Sequence, residues 1–201
     1  MRQIIATLAV MGAAMVLASG LALGATKAGG PGNNVLMGTD KPDRLDGRGG
    51  NDSIYGLGGS DRVADGGLLV GGEGNDVIYG GSGSDDLVGG RDLSQGEKKG
   101  EKGRDTMHGQ AGNDRMFGDA GSDMLYGGAG SDEIADGENK GGSRDVLYGN
   151  GGNDFFFPRN EPAVRDVIYC GKGRDVVFAD RKDLVRQCEV VKFRNPTPGE
   201  V

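Results

Sequence analysis

Thirteen aspartates recur in one register along the chain: Asp43, Asp52, Asp61, Asp76, Asp85, Asp105, Asp114, Asp123, Asp132, Asp145, Asp154, Asp166 and Asp175. Eight of their twelve intervals are nine residues, and the others are 15, 20, 13 and 12. Glycines and asparagines crowd the residues just before them. Carboxylates in that company point to the binding of a hard divalent cation. Such an ion takes about six to eight oxygens, drawn from carboxylates and from the carbonyls of sharply bent backbone. Glycine and asparagine tolerate the positive φ that turns those carbonyls inward. An EF-hand is excluded, because no glutamate closes a twelve-residue loop between helices. Catalysis finds little support. The chain has one histidine and lacks G-x-S-x-G, H-E-x-x-H and P-loop patterns, so it is expected not to be an enzyme.

The elements that position these aspartates follow from what comes next. Two residues after each stands an apolar side chain: Leu45, Ile54, Val63, Ile78, Leu87, Met107, Met116, Leu125, Ile134, Leu147, Phe156, Ile168 and Val177. Two words without a carboxylate, starting at Asn34 and Gly67, fit the same frame through Leu36 and Leu69. Each of these fifteen units reads as a glycine turn and a short strand with one inward residue. One such strand buries nothing alone, so the units are expected to stack into a solenoid with a continuous narrow core. High glycine with low hydrophobicity is the mark of disorder unless the glycines are periodic. The 42 glycines and 35% apolar residues here are periodic.

Residues 71–79 (GGEGNDVIY), 80–88 (GGSGSDDLV) and 127–135 (GGAGSDEIA) carry G-G-x-G-x-D-x-U-x at every fixed position. GQAGNDRMF, GDAGSDMLY and GNGGNDFFF each miss one glycine. The chain thereby resembles the RTX, or haemolysin-type, calcium-binding nonapeptide-repeat family over most of its length. The resemblance implies an all-β fold, a right-handed parallel β-roll with two nonapeptides per coil. It also implies several calcium ions (Ca2+) between successive turns, held by Asp52, Asp61, Asp76, Asp85, Asp105, Asp114, Asp123, Asp132, Asp145, Asp154 and Asp175.

Electrostatics points the same way. Aspartates one coil apart, at roughly 4.8 Å, repel by about 3 to 4 kcal/mol at an effective dielectric of ~20. A bridging cation reverses that sign and couples binding to folding. Alternation places Asp43, Asp61, Asp76, Asp105, Asp123, Asp145 and Asp166 on one edge. Asp52, Asp85, Asp114, Asp132, Asp154 and Asp175 fall on the other, with Asn34 and Gly67 as defective members. Asp43 and Asp166 lack glycine turns and are left out of the metal set, and slots touching Gly67 or Asp166 are expected to be weak. The same alternation stacks Tyr79, His108, Tyr126, Tyr148 and Tyr169 on one outer face as a ladder, which makes His108 a ladder member and not a ligand.

Residues 1–25 have one positive charge, an apolar run and small residues near Gly24, the layout of a cleaved secretory signal. After its removal no stretch is apolar enough for a stable membrane span. A linker is expected at 26–33, the repeats at 34–179 with a polar insertion at about 93–103, a C-terminal cap at 180–194, and a disordered tail at 195–201. Cys170 and Cys188 lie eighteen residues apart, one coil, and in an exported chain are expected to form a disulfide joining the last turn to the cap, worth about 3 kcal/mol. The net charge of −7 excludes a nucleic-acid partner, which needs a basic footprint. The chain is therefore expected to be a secreted, extracellular calcium-binding module of a surface, matrix or adhesion kind. The competing reading is a solenoid that binds or modifies an extracellular polysaccharide.

Overall fold

The computed structural model describes residues 24–62, 67–90, 103–137, 139–140, 143–158, 160–161 and 164–193. They build a parallel β-roll. A nine-stranded and an eight-stranded parallel sheet face each other, and the chain alternates between them. One sheet runs from Thr26–Ala28 through Arg44–Gly49 and Leu68–Glu73 to Val190–Phe193. The other runs from Val35–Thr39 through Ser53–Gly58 and Val77–Ser82 to Leu184–Arg186. A two-stranded pair, Asn139–Lys140 with Asn160–Glu161, stands beside them.

The core is two facing files, one side chain per strand for most of the roll, with Cys170 and Ala179 added in the last full coil. Leu36, Ile54, Ile78, Met107, Leu125, Leu147 and Ile168 stack in register on one side. Leu45, Leu69, Leu87, Met116, Ile134, Phe156 and Val177 stack on the other. These are the expected inward residues, save Val63, which lies outside the described residues. On the outer face, Tyr79, His108, Tyr126, Tyr148 and Tyr169 stack at 4.7–5.0 Å between ring centroids. Tyr55 extends this ladder at 5.1 Å from Tyr79, although the sequence alternation placed it on the opposite sheet.

Tyr55 exposes a fault in that alternation. Asp61 and Gly67 are not two units but one. Asp61 supplies the carboxylate, and the strand that follows it starts only at Leu68. Six extra residues therefore sit between a carboxylate and its own strand, and the coil there spans 24 residues instead of 18. Counting both as units shifted the parity of everything upstream, so the edge assignments of Asp43, Asp52 and Asp61 are corrected below.

The coil separations of 29, 22 and 21 residues contain the insertions. Of the polar insertion at about 93–103, only Gly103 lies within the described residues, as do only Gly24 and Ala25 of the signal segment; the tail at 195–201 lies outside them. Thr26–Ala28, inside the expected linker, is instead the first strand of the nine-stranded sheet. Cys170 and Cys188 are joined by a disulfide. The cap segment adds strands Leu184–Arg186 and Val190–Phe193, which continue both sheets.

The turns before Asp52, Asp61, Asp76, Asp85, Asp114, Asp123, Asp132, Asp154 and Asp175 each contain two left-handed residues, four and two positions before the aspartate. Glycine fills the second place in all nine, as in Gly50, Gly74 and Gly112. The first is glycine in Gly72, Gly81, Gly128 and Gly171 but is Arg48, Leu57, Gln110, Asp119 or Asn150 elsewhere. A non-glycine residue pays about 1–2 kcal/mol in that conformation, part of which glycine's looser unfolded chain returns. Leu57, at φ 78°, is 44% exposed and gives little burial in exchange. Leu57→Gly is therefore expected to stabilise the fold by about 0.5–1 kcal/mol, seen as a higher denaturant midpoint in saturating calcium. A lower midpoint would show that the turn is not strained there.

Candidate metal sites along the two edges

A strand with a single inward residue leaves its turn residues no core of their own. Instead the side chain of each aspartate reaches back to the preceding coil. The backbone N–H of each donates to Oδ1 of its counterpart one coil later, and two ladders result. The first runs Asp43, Asp61, Asp85, Asp114, Asp132, Asp154 and Asp175, with bonds of 2.8–2.9 Å. The second runs Asp52, Asp76, Asp105, Asp123, Asp145 and Asp166, with bonds of 2.7–2.9 Å. Asp43 and Asp61 thus share an edge with Asp85, and Asp52 shares one with Asp76, the reverse of the alternation read from the sequence. Asp61 fills the rung that Gly67 would have left without a carboxylate. Asp43 and Asp166, doubted for their irregular turns, are full members of their ladders.

The ladders are closed by residues that the repeat pattern does not mark. Glu189 Oε2 accepts the N–H of Asp175 at 2.8 Å, and Asp183 Oδ1 accepts that of Asp166 at 3.1 Å. At the other end the N–H groups of Ala25 and Asn34 donate to Asp43 and Asp52. A parallel ladder runs through the residues just before the aspartates. Asn51 donates its N–H to Asn33 Oδ1, Asn75 to Asn51 and Arg104 to Asn75, at 2.7–2.9 Å. These bonds point against those of the aspartates, so each turn donates to both neighbours. The Asn or Ser of the G-x-N/S-D word was the signal for this second ladder.

The second carboxylate oxygen is treated differently. All thirteen repeat aspartates are at most 2% exposed. Oδ2 of Asp52, Asp61, Asp76, Asp85, Asp114, Asp123, Asp132, Asp154 and Asp175 is buried with no hydrogen-bond partner. An uncompensated buried carboxylate oxygen is among the costliest features a fold can carry. Its surroundings say what it awaits. Five residues before most of these aspartates stands a glycine, such as Gly47, Gly71, Gly109 or Gly127. A Cβ there would lie within 3.0 Å of both the Oδ2 of its aspartate and a backbone carbonyl of the next coil. Unpaired carboxylate oxygens and backbone carbonyls of the adjacent turn therefore converge where no side chain intrudes, and this donor set suits calcium. A bound calcium ion would supply positive charge shared between rungs. The residues present fit it.

Burial is the main influence on how these groups titrate. It raises the carboxyls of Asp61, Asp114, Asp123 and Asp154 to about 7, of Asp76 and Asp132 to about 6, and of Asp105 to about 8. The backbone N–H from the preceding coil opposes that rise, and the neighbouring carboxylates of Asp76, Asp119 and Asp123 add to it at Asp105. Asp52, Asp85 and Asp175 are raised for the same leading reason. His108, in the ring ladder, is lowered by burial.

The profile of the RTX calcium-binding nonapeptide repeat matches four segments, residues 28–63, 65–92, 100–134 and 141–158. Together they cover more than half of the chain. The protein belongs to the RTX calcium-binding repeat family. No curated protein and no solved structure shows a significant match to the chain. For an RTX repeat, the two ladders and their unpaired oxygens lie where successive turns meet.

The titration shifts have a definite sign. Each carboxyl named above binds its proton more tightly in the fold than at its ordinary 3.8. Between about 4 and about 8 the metal-free fold therefore holds more protons than the unfolded chain, and its stability falls as pH rises. In chelator, the chain is expected to be more stable at pH 5 than at pH 8 by thermal unfolding. With calcium, which competes with those protons, the half-saturating concentration is expected to drop as pH rises from 6 to 8. Metal-free stability that grew with pH would contradict the burial described.

Proposed function

We propose that this protein is a secreted, non-enzymatic calcium-binding repeat module whose β-roll is completed by calcium along both edges. Its role is to present a rigid surface as a matrix, cell-surface or adhesion element. The ligands are Asp52, Asp61, Asp76, Asp85, Asp105, Asp114, Asp123, Asp132, Asp145, Asp154 and Asp175, to which Asp43 is now added by its place in the ladder. The observation that carries the reading is the row of nine buried Oδ2 atoms without partners, all but that of Asp175 beside a carbonyl of the next turn. Export agrees with the N-terminal segment and with the disulfide, which persists in an oxidising compartment.

A second reading keeps the same fold and adds a glycan. Arg62, Arg115, Glu133, Phe155 and Phe157 line an open depression of about 590 Å³ beside one edge. Phe155 is 44% exposed, and Arg115 is fixed by two bonds to the buried Asp86 at 2.6 and 2.7 Å. Aromatic faces beside ordered polar groups are suited to sugar rings. Retention on immobilised polysaccharide that Phe155→Ala abolishes would favour this reading.

Calcium titration followed by circular dichroism tests the first. The chain is expected to gain its β signal as calcium rises and to lose it in chelator. In Asp114→Asn, the amide oxygen can still accept the N–H of Asp85 while the unpaired carboxylate oxygen is gone. This variant is expected to need several-fold more calcium. A chain equally folded in chelator, with an Asp114→Asn titration superimposable on the parent's, would remove calcium from the account.

A further inference from the structure

The first aspartate ladder has an open end at Asp43. One coil earlier the place of the aspartate is held by Ala25. Arg44 donates its N–H to the Ala25 carbonyl at 2.8 Å, as Leu68 does to the carbonyl of Asp43. Thr26–Ala28 then pairs with Arg44–Asp46 as a repeat strand does. Ala25 therefore heads the first unit and has no carboxylate to offer. Its backbone nitrogen donates to Asp43 Oδ1.

Asp43 is held unlike the regular rungs. Its turn, TDKPD, contains no glycine. Thr39 takes up the second oxygen, with its backbone nitrogen at 2.5 Å and its Oγ1 at 3.3 Å from Oδ2. The carboxylate is fully buried, and these donors are neutral amide and hydroxyl groups. A carboxylate so enclosed gains most from a donor that carries positive charge.

The sequence supplies such a donor. Residues 22 and 24 are alanine and glycine, the small-x-small pattern at which a secretory signal is cut. The cut then falls between Gly24 and Ala25. A signal peptidase and one water hydrolyse that peptide bond, which leaves a carboxylate on Gly24 of the released segment and an amino group on Ala25. Free α-amino groups titrate at about 8, so the new terminus is an ammonium at neutral pH. Gly24 provides an independent sign. A Cβ on it would collide with the Pro42 carbonyl and lie 2.9 Å from Asp43 Oδ1. The residue to be removed is thus wedged between two acceptors, which an ammonium on Ala25 can address once Gly24 has left.

We propose that signal removal between Gly24 and Ala25 creates a cationic cap for the first ladder, in which the Ala25 ammonium pairs with buried Asp43 and locks the first coil after export. The proposal rests on the secretion reading above, and it ends the signal one residue before the expected residue 25. The same nitrogen serves the same oxygen before and after the cut. What the cut adds is the charge, and a charge-assisted bond is about twice as strong as a neutral one.

The first test is export of the full precursor from a bacterial host and the intact mass of the product, which is expected to begin at Ala25. That product is then compared with the same chain acetylated at its α-amino group alone, which keeps an N–H for Asp43 and removes the charge. In urea with saturating calcium, acetylation is expected to lower the folding equilibrium constant about five- to tenfold. In Asp43→Asn, acetylation is expected to make no difference. Equal stability of the two parent chains, or an acetylation effect that persists in Asp43→Asn, overturns the ion pair. If Asp43→Asn does not fold, the two parent chains decide alone. A product that begins at Thr26 or later overturns the cut while export stands. A precursor retained uncleaved removes the secretion reading and this inference with it.

Discussion

The structure depends on a carboxylate that is only half satisfied. Each repeat aspartate is buried at the edge of the roll, where one oxygen takes the backbone N–H of the coil before it and the other, in nine cases, takes nothing. The satisfied oxygen fixes the vertical register of the coils. The unsatisfied one leaves the edge electrically unfinished, and burial then holds the carboxyls protonated well above their ordinary range. The like-charge repulsion expected from spacing alone is therefore only part of the cost. Desolvation is the larger part, and the backbone N–H offsets some of it.

The core cannot absorb this cost by itself. Most strands contribute one inward side chain to the core, and only the last full coil adds a second, through Cys170 and Ala179, so the core stays narrow. Apolar burial of that depth supports a sheet stack but leaves little surplus against conformational entropy, especially with glycine at so many turn positions. The ring ladder from Tyr55 to Tyr169 and the paired Asn and Asp ladders add continuous side-chain stacks outside the core. Every stabilising row runs along the axis of the roll, so each coil leans only on its two neighbours.

Much of this was legible in the sequence because the repeat is short and its period strict. The inward residue of each strand, the stacked rings and the pairing of Cys170 with Cys188 followed from counting nines and eighteens. What failed was the count itself at one place. Asp61 and Gly67 each look like the head of a unit, and nothing local says that a carboxylate and its strand can be six residues apart. That error moved Tyr55 and three aspartates to the wrong edge. Asp183 and Glu189 were hidden for another reason: they do in the closing turn what the repeat aspartates do, without the glycine context that marks those.

The splice at Asp61 has an architectural meaning. Its rung and its strand belong to different stretches of chain, yet both ladders and both sheets run through that coil without a break. Acidic rim and hydrophobic wall are thus separable modules that merely share a phase. A gene for such a roll can gain side loops at the junction between them, and lengthen coil by coil, with the stack above and below left undisturbed.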